Sequence, residues 1–237
     1  MAEKKPLFAT NTTSETSWLS VADMMSGLMM IFLLIAVLYI AKLRVEYQAV
    51  QGVTDNICGE LTQEFQKEKD EWNMSICKGG LLISFQDDSV FEKGKYRLKQ
   101  EFKDILDVFF PRFMKIVLNN SADISELRIE GHTSSEFTRV SKNNSYLLNT
   151  KLSQNRSYSV MNYAFKITRN ADMHLWMRKN LTAHGLSSSK LVYKKNQENP
   201  EIEDAIRSRR VEFKIQTNAQ QKFIDQFNNS VKSKNGS

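Results

Sequence analysis

One acidic side chain lies inside a long apolar segment, and its position there makes it a candidate for ion or proton chemistry. Residues 19–41 contain no charged side chain except Asp23. As an α-helix of 23 residues, this segment rises about 34 Å, which is enough to cross a hydrocarbon core of ~30 Å. A carboxylate in such a span costs about 2.5–3.5 kcal/mol and usually marks a path for ions or protons. Asp23 is therefore predicted to carry a proton.

The residues that follow Asp23 favour a position inside the membrane. Ser26, Gly27 and Met30 follow at i+3, i+4 and i+7, so the carboxylate shares a helix face with small side chains. Such a face packs closely on another transmembrane helix. The alternative is that Asp23, shortly after Trp18, lies at headgroup level and caps the start of the helix.

The flanks of the apolar segment indicate a membrane anchor rather than a cleaved signal. Signal peptides have apolar cores of about 7–15 residues close to the N-terminus, whereas residues 24–41 form an uncharged run of 18. A buried helix of a soluble protein is a further alternative, which so long a run disfavours. Lys4 and Lys5 before the segment balance Lys42 and Arg44 after it, so these charges leave the orientation open.

The chain has only two cysteines, Cys58 and Cys77. They flank a charged segment, 59–76, whose apolar side chains recur at helical spacing. The pair is either two buried thiols or one disulfide that clamps this segment. A disulfide requires an oxidising compartment such as the periplasm.

The net charge indicates the class of partner, and the scattered histidines disfavour an enzyme. The chain carries 33 Lys and Arg against 27 Asp and Glu, a net charge of +6, which suits a polyanionic partner. Nucleic acid is disfavoured because no binding motif is present, and cell-wall polymer is the other candidate. The three histidines, His132, His174 and His184, are scattered, so neither a metal site nor a cofactor is predicted. Ser153 with His132 is the one nucleophile–base pair to consider, and no enzyme is predicted.

Periodicity predicts a two-layer α/β domain with a mixed sheet over residues 80–217. Strands are predicted at 81–85, 126–130, 181–183 and 210–216, and amphipathic helices at 96–118 and 146–167. Asp87 and Asp88 are predicted to form a turn, and Pro111 either kinks the first helix or divides it. A βαβ crossover brings strands together in parallel, so the expected architecture is a mixed sheet with helices on one face.

Five segments are expected along the chain. They are a cytoplasmic tail at 1–17, a transmembrane helix at 18–43, a helical linker at 44–79, the globular domain at 80–217, and a C-terminal helix and tail at 218–237. The first helix is expected to continue through 44–50 and to break at Gly52 and the polar cluster 54–56. The terminal helix is expected over 218–231.

Four ordered motifs resemble the OmpA-like peptidoglycan-binding domain. The family pattern is Gly-His-Thr-Asp, then Asn-x-x-Leu-Ser-x-x-Arg, then a glycine turn, then Arg-x-Arg-Arg-Val-Glu. The corresponding residues here are 131–134, 149–156, 184–187 and 207–212. In addition, Trp18 and the Ala-Asp pair at 22–23 resemble the transmembrane segment of MotB, the flagellar stator subunit. The chain is therefore identified as a member of the OmpA/MotB family.

The resemblance implies a two-layer OmpA-like periplasmic domain that binds peptidoglycan. It assigns the binding contacts to Thr133, Ser134, Leu148, Asn149, Leu152, Arg156 and Arg209. Three of these residues, Asn149, Leu152 and Arg156, lie on one helical face at i, i+3 and i+7. The Arg156 guanidinium offers a planar fork for a carboxylate such as that of diaminopimelate, or else it forms a surface ion pair. Leu152 packs either on aliphatic atoms of the wall peptide or in the core.

One position departs from the family pattern. The family has an aspartate where this chain has Ser134, so the usual anion for an ammonium group of the ligand is missing. Glu136, two residues further on, is the nearest substitute. The alternative is that wall binding is weaker or altered.

The resemblance also implies a stator-type, proton-driven motor subunit of the bacterial inner membrane. Two copies of the chain would lie inside a ring of MotA-like (ZorA-type) multi-span subunits, with the N-terminus cytoplasmic and the C-terminal domain periplasmic. The short spacer makes the chain most like the MotB-like subunits of Zorya antiphage defence systems. A passive membrane-to-wall tether and a flagellar stator subunit are the alternatives. The coupling ion, the stoichiometry, the trigger and the intra- or intermolecular nature of a disulfide stay open.

Overall fold

The chain forms two units, Met1–Ala49 and Val50–Ser237. The structure is a computed structural model, and it describes residues 12–92, 94–136, 140–194 and 202–218. The predicted terminal helix at 218–231 lies almost entirely outside the described residues.

The first helix, α1 (Thr12–Phe65), contains the apolar segment. Its stretch Val21–Val45 is long and apolar enough to cross a membrane, and none of its most apolar window is buried in the structure. The predicted break at Gly52 is wrong, because the helix continues through it. A single glycine costs a helix about 1 kcal/mol, and the fully buried side chains of Ile57, Leu61 and Phe65 outweigh that cost in the turns that follow.

The second unit is built on a mixed sheet, as the sequence predicts, and the sheet has five strands where four are predicted. Its strands are β1 (Met74–Ile76), β2 (Leu82–Gln86), β3 (Ile124–His132), β4 (Leu181–Gly185) and β5 (Arg210–Thr217), and their order in the sheet is β1-β2-β5-β3-β4. β3 and β4 are parallel, and the other neighbours are antiparallel. The remaining helices are α2 (Asp87–Val90), α3 (Gln100–Asn119), α4 (Lys142–Ile167), α5 (Ala171–Asn180) and α6 (Ala205–Ser208).

The core lies between one face of the sheet and the helices α3 and α4, which confirms the predicted two layers. Its centre is a set of aromatic rings that contact one another at centroid distances of 5.0–6.4 Å; they belong to Phe65, Trp72, Phe85, Phe109, Phe113 and Phe213. α3 remains one helix through Pro111, which is exposed. Burial of Phe109, Phe110 and Phe113 around the proline holds that helix to the sheet.

Two local predictions differ from the structure, and one helix is not predicted by the sequence. The segment 59–76 is not one helix, because α1 ends at Phe65 and left-handed backbone at Asn73 directs the chain into β1. Pairing of β1 with β2 then outweighs the helical spacing of the side chains. The predicted turn at Asp87 and Asp88 is the short helix α2. The segment after α4 forms the separate helix α5, which Asn170 caps through its side chain.

Candidate functional site

A cleft of about 320 Å³ opens where β2, β3 and β5 meet the first half of α4. Its lining consists of Asp87, Asp88, Gly94, Thr133, Ser134, Glu136, Asn149, Leu152, Arg156 and Arg209. Six of the seven predicted wall-contact residues therefore come together from three separate parts of the chain. The seventh, Leu148, is 42% exposed and does not line the cleft.

The sheet register explains why distant residues meet in this cleft. Gln86 and His132 both pair with Arg210, one from each side of β5. The residues next to these three positions, Asp87, Thr133 and Arg209, are therefore neighbours at one edge. The backbone N–H of Asp87 donates to the carbonyl of Arg209 at 3.1 Å.

Arg156 is the most deeply placed cation of the cleft, with 2% of its surface exposed. Its Nη2 lies 2.9 Å from Asp87 Oδ2, its Nε donates to the carbonyl of Lys95 at 3.0 Å, and its guanidinium lies over the ring of Phe91. Burial lowers the pKa of Arg156, although Asp87 opposes that shift. The residue is thus a fixed, oriented fork, and its ion pair with Asp87 is buried and not the surface ion pair that the sequence allowed as an alternative.

Asp87 is the cleft residue that the sequence analysis missed. Burial raises the pKa of its carboxyl to about 6, against the opposing charges of Arg156 and Arg209. Its second oxygen, Oδ1, is buried and has no hydrogen-bond partner within the described parts of the chain. At neutral pH the carboxylate is mostly ionised and has one oxygen left for a ligand. The only sequence signal is an acidic pair directly after a predicted strand.

The neutral polar residues of the cleft hold its wall in place. Asn149 is 3% exposed, and its Nδ2 donates to the carbonyl of Ser134 at 3.2 Å. The backbone N–H of Thr133 donates to the carbonyl of Ser187 at 2.9 Å. Its hydroxyl is buried and unpaired among the described residues. Thr133 and Asp87 therefore each present an unsatisfied polar atom, which a polar ligand would satisfy.

Glu136, which the sequence offers as a substitute for the missing family aspartate, lines the cleft at an exposed position. Its Oε2 lies 3.4 Å from Arg209 Nη1, and its side chain is 65% exposed. An exposed pair of this kind contributes little to stability. Asp87 is more deeply buried and closer to Arg156, so it is the better-placed anion.

Two glycines let α4 approach the sheet closely enough to complete the cleft. Gly131 of β3 and Gly185 of β4 are partners in the parallel ladder. A Cβ atom on Gly131 would lie 2.4 Å from the carbonyl oxygen of Ser153, and one on Gly185 would lie 2.4 Å from the backbone N of Gln154. Both separations are too short for any side chain. The sheet therefore accepts the α4 backbone only with glycine at both positions.

The predicted proton carrier and the cysteine pair lie elsewhere. Asp23 is in the exposed apolar part of α1, where its backbone carbonyl accepts from the Ser26 hydroxyl at 2.8 Å. Cys58 of α1 and Cys77, which follows β1, form a disulfide within the chain, and their Cα atoms are 6.1 Å apart. This bond fastens the C-terminal part of α1 to the β1 edge of the sheet.

The mixed sheet, the cleft motifs and the apolar helix define a MotB-like protein with an OmpA-like domain. No family model matches the chain. The chain is 37% identical over 212 residues to the Zorya protein ZorB of Escherichia coli (strain Crooks), a match that covers 86% of this chain and 88% of that protein. The chain belongs to the ZorB family.

Solved structures with a similar arrangement of elements include two proteins at 18% identity. One is the cell wall anchor of the type VI secretion system of Pseudomonas aeruginosa, with a TM-score of 0.45, covering 66% of this chain and 96% of that one. The other is a MotB-like protein of Desulfovibrio vulgaris, with a TM-score of 0.49, covering 73% and 95%. The periplasmic domain of Helicobacter pylori MotB matches at 17% identity and a TM-score of 0.39, covering 63% and 85%.

Proposed function

We propose that the chain is the wall-anchored stator subunit of a proton-driven inner-membrane motor that acts in antiphage defence. Its membership in the ZorB family supports this role. The observation that carries the anchoring part is the convergence of Asp87, Asn149, Arg156 and Arg209 in one cleft. No step of this role requires an enzyme or a cofactor.

The cleft has the charge pattern that a zwitterionic wall peptide requires. A free peptide carboxylate pairs with the N–H groups that Arg156 retains beyond its bonds to Asp87 and Lys95, and with Arg209 at the rim. The ammonium group of the same ligand lies against Asp87 Oδ1. In this arrangement Asp87 takes the role of the aspartate that Ser134 replaces.

In the membrane, Asp23 takes up and releases the coupling proton. Two copies of α1 lie inside a ring of MotA-like subunits, with the N-terminal tail cytoplasmic and residues 80–217 in the periplasm. Neutralising Asp23 changes its contacts with the ring, so alternate protonation of the two copies steps the ring around them. The membrane potential supplies about 2.3 kcal/mol per charge for each 100 mV. The bond between Cys58 and Cys77 supports the periplasmic placement, because disulfides persist in oxidising compartments.

A matched pair of arginine variants tests the anchor. Arg156→Lys keeps a charge beside Asp87 but removes the planar fork and the donor to Lys95. We expect binding to purified peptidoglycan sacculi to weaken about tenfold or more, because a hydrogen bond to a charged group is worth about 1.5–3 kcal/mol. Arg128→Lys is the control, since Arg128 is an exposed cation paired with Glu126 at 2.6 Å. Equal sedimentation of both variants with sacculi would exclude the cleft as the wall site.

The passive tether makes a different prediction for Asp23. A motor loses proton flux and phage protection in Asp23→Asn, whereas a tether loses neither. Asp55→Asn is the control, because it removes an exposed carboxylate from the same helix outside the apolar stretch. Full protection by Asp23→Asn would reject the motor. A motility assay separates a flagellar stator from a defence motor.

A further inference from the structure

Three buried ionisable side chains meet on the face of the sheet opposite the helices. Glu130 and His132 are two residues apart in β3, so they lie on the same face of the sheet. Gly131, between them, lies on the opposite face, which packs on α4. Glu212 of β5 pairs directly with Glu130. The exposed fractions of Glu130, His132 and Glu212 are 5%, 1% and 7%. None of the three lines the cleft that contains Asp87 and Arg156.

Three lone-pair donors of this cluster converge. His132 Nε2 lies 3.4 Å from Glu212 Oε2 and 3.7 Å from Glu130 Oε2. Neither ring nitrogen of His132 makes a hydrogen bond within the described part of the chain. One ligand atom from each of the three residues lies within 4.8 Å of the other two.

The other oxygen of each carboxylate faces a cation, which fixes its orientation. Glu212 Oε1 accepts from Arg210 Nε at 2.5 Å, and Glu130 Oε1 lies 3.7 Å from Lys214 Nζ. Arg210 is itself held by the carbonyls of Lys190 and Ser208. The Oε2 atoms are therefore directed to His132, in the way that outer hydrogen bonds orient metal ligands.

Glu130 and Glu212 are directly opposite each other in the ladder and repel, and the cations Arg210 and Lys214 reach only their Oε1 atoms. A cation between the three ligand atoms removes the repulsion. In a tetrahedral Zn²⁺ site with bonds of about 2.0–2.2 Å, neighbouring ligand atoms are about 3.4 Å apart. The separations of His132 Nε2 from Glu212 Oε2 and from Glu130 Oε2, 3.4 and 3.7 Å, lie close to that value. A donor set with an imidazole favours Zn²⁺ over Ca²⁺ or Mg²⁺, which prefer oxygen alone.

We propose that Glu130, His132 and Glu212 bind one divalent transition-metal ion, with Zn²⁺ as the ion that fits the donor set. The ligand atoms are Glu130 Oε2, His132 Nε2 and Glu212 Oε2, and water completes the coordination. Glu212 and Arg210 also line a second cleft of about 340 Å³ on this face, which gives the ion a route from solvent. The ion joins β3 to β5 and stabilises the folded domain, because it binds the folded chain in preference to the unfolded one.

The scattered positions of the histidines hid this cluster in the sequence. Only one histidine takes part, and its two carboxylate partners come from positions 130 and 212, which the antiparallel pairing of β3 with β5 brings together. His174 and His184 lie outside the cluster.

The test is zinc binding by the full-length chain in detergent after removal of metal with a chelator. Calorimetric titration with Zn²⁺ is expected to give one ion per chain and a rise in the thermal midpoint. Glu130→Gln, His132→Gln and Glu212→Gln are each expected to weaken binding at least about tenfold. His184→Gln is the matched control, because His184 Nε2 also lies 3.7 Å from a carboxylate, that of Glu126, but its side chain is 42% exposed. The control is expected to bind like the wild type.

Cobalt substitution makes the result independent of how well the variants fold. Co²⁺ bound to the unmodified chain is expected to show the visible absorption of a site with imidazole and carboxylate ligands, and excess Zn²⁺ is expected to displace it. Two results overturn the proposal. One is the absence of stoichiometric Zn²⁺ binding by the unmodified chain, in which case a proton is the shared cation. The other is binding that all three glutamine variants retain.

Discussion

At the scale of single residues, the buried pair of Asp87 and Arg156 gives the cleft its charge pattern. Burial shifts the pKa of both groups towards their neutral forms, which means that desolvation outweighs their mutual attraction. Such a pair is expected to favour a ligand that brings an ammonium group to Asp87 and a carboxylate to Arg156. A zwitterion does so, whereas a simple anion satisfies only Arg156. The cleft is therefore expected to select zwitterionic wall peptides over simple anions.

The raised pKa of Asp87 predicts that ligand binding depends on pH. The carboxyl has a pKa of about 6 in the folded chain, so it is mostly ionised at pH 7.5 and mostly protonated at pH 5. We expect binding of a soluble wall peptide with a free ammonium group to weaken as the pH falls through 6. Fluorescence anisotropy with a labelled peptide measures this dependence.

One test variant and one control variant show whether Asp87 causes the pH dependence of binding. Asp87→Asn is expected to bind weakly at every pH in this range, and Glu136→Gln is expected to keep the wild-type dependence because Glu136 is exposed. A pH-independent wild type would contradict the role of Asp87.

The raised pKa of Asp87 affects folding stability in the opposite direction to ligand binding. The folded chain holds the proton more tightly than the unfolded chain, so the contribution of Asp87 to stability improves as the pH falls from 6 to 3.8.

At the scale of elements, the distance between α4 and the sheet sets the shape of the cleft. Asn149, Leu152 and Arg156 are correctly placed only because the α4 backbone lies on Gly131 and Gly185. α4 starts at Lys142 because the Ser141 hydroxyl accepts from the backbone N–H of Asn144. The Ser141 cap fixes the start of α4, and the two glycines fix its distance from the sheet.

Gly131→Ala is expected to weaken both folding and wall binding. The new Cβ would lie 2.4 Å from a backbone oxygen, so α4 must move away from β3. Overpacking of this kind costs about 1–3 kcal/mol. Urea unfolding measures the stability and sacculus sedimentation measures the binding. Gly52→Ala is the control, because a Cβ there meets nothing within 4 Å and alanine favours a helix. A wild-type unfolding midpoint for Gly131→Ala would contradict the close approach.

The disulfide joins two elements that are close together in sequence but belong to different parts of the fold. Cys58 and Cys77 are 19 positions apart, and a loop of that size predicts a stabilisation of about 3 kcal/mol through the unfolded chain. The double variant Cys58→Ser with Cys77→Ser should lose that amount in urea unfolding. Reduced wild type should unfold at the same urea concentration as the double variant. An unchanged midpoint in both would show that the bond does not constrain the unfolded chain.

At the scale of the whole molecule, the core begins within α1. The buried hydrophobic cluster starts at Ile57 and ends at Ile215. Arg112 of α3 strengthens this end of α1, because its guanidinium bonds Glu64 and Glu68 at 2.7 and 2.8 Å and lies over the Phe65 ring. The last turns of α1 are thus part of the globular unit and not a separate linker.

A pair of truncations tests that boundary. A chain that starts at Val50 is expected to fold without detergent, because it keeps the whole core and loses the exposed apolar stretch Val21–Val45. A chain that starts at Gln66 loses Ile57, Leu61 and Phe65, all fully buried. The loss of each side chain costs about 2–5 kcal/mol. The three losses together are comparable to the free energy of unfolding of a typical domain, about 5–15 kcal/mol. Cooperative thermal unfolding of the shorter chain would contradict this boundary.

The sequence predicts most of the fold and most of the cleft, and the exceptions share one cause. Four of the five strands, α4 and the helical face of Asn149 and Arg156 follow from local periodicity and motifs. Burial of Asp87, the close approach at Gly131 and the cluster around His132 depend on which strands become neighbours. Local patterns do not encode that choice. α1 continues through Gly52 for the same reason, because burial further along the chain outweighs a local preference.

The strand order also has a consequence for how the chain is made. β5 lies in the middle of the sheet although it is the last strand that the structure describes. Until residues 210–217 join the sheet, β2 and β3 have no common neighbour and the apolar faces of α3 and α4 have no complete surface to cover. Long-range pairing of this kind is slow and exposes apolar surface to aggregation. A chain that stops before residue 210 is therefore expected to leave apolar surface exposed and to aggregate, because it lacks the strand that joins β2 to β3.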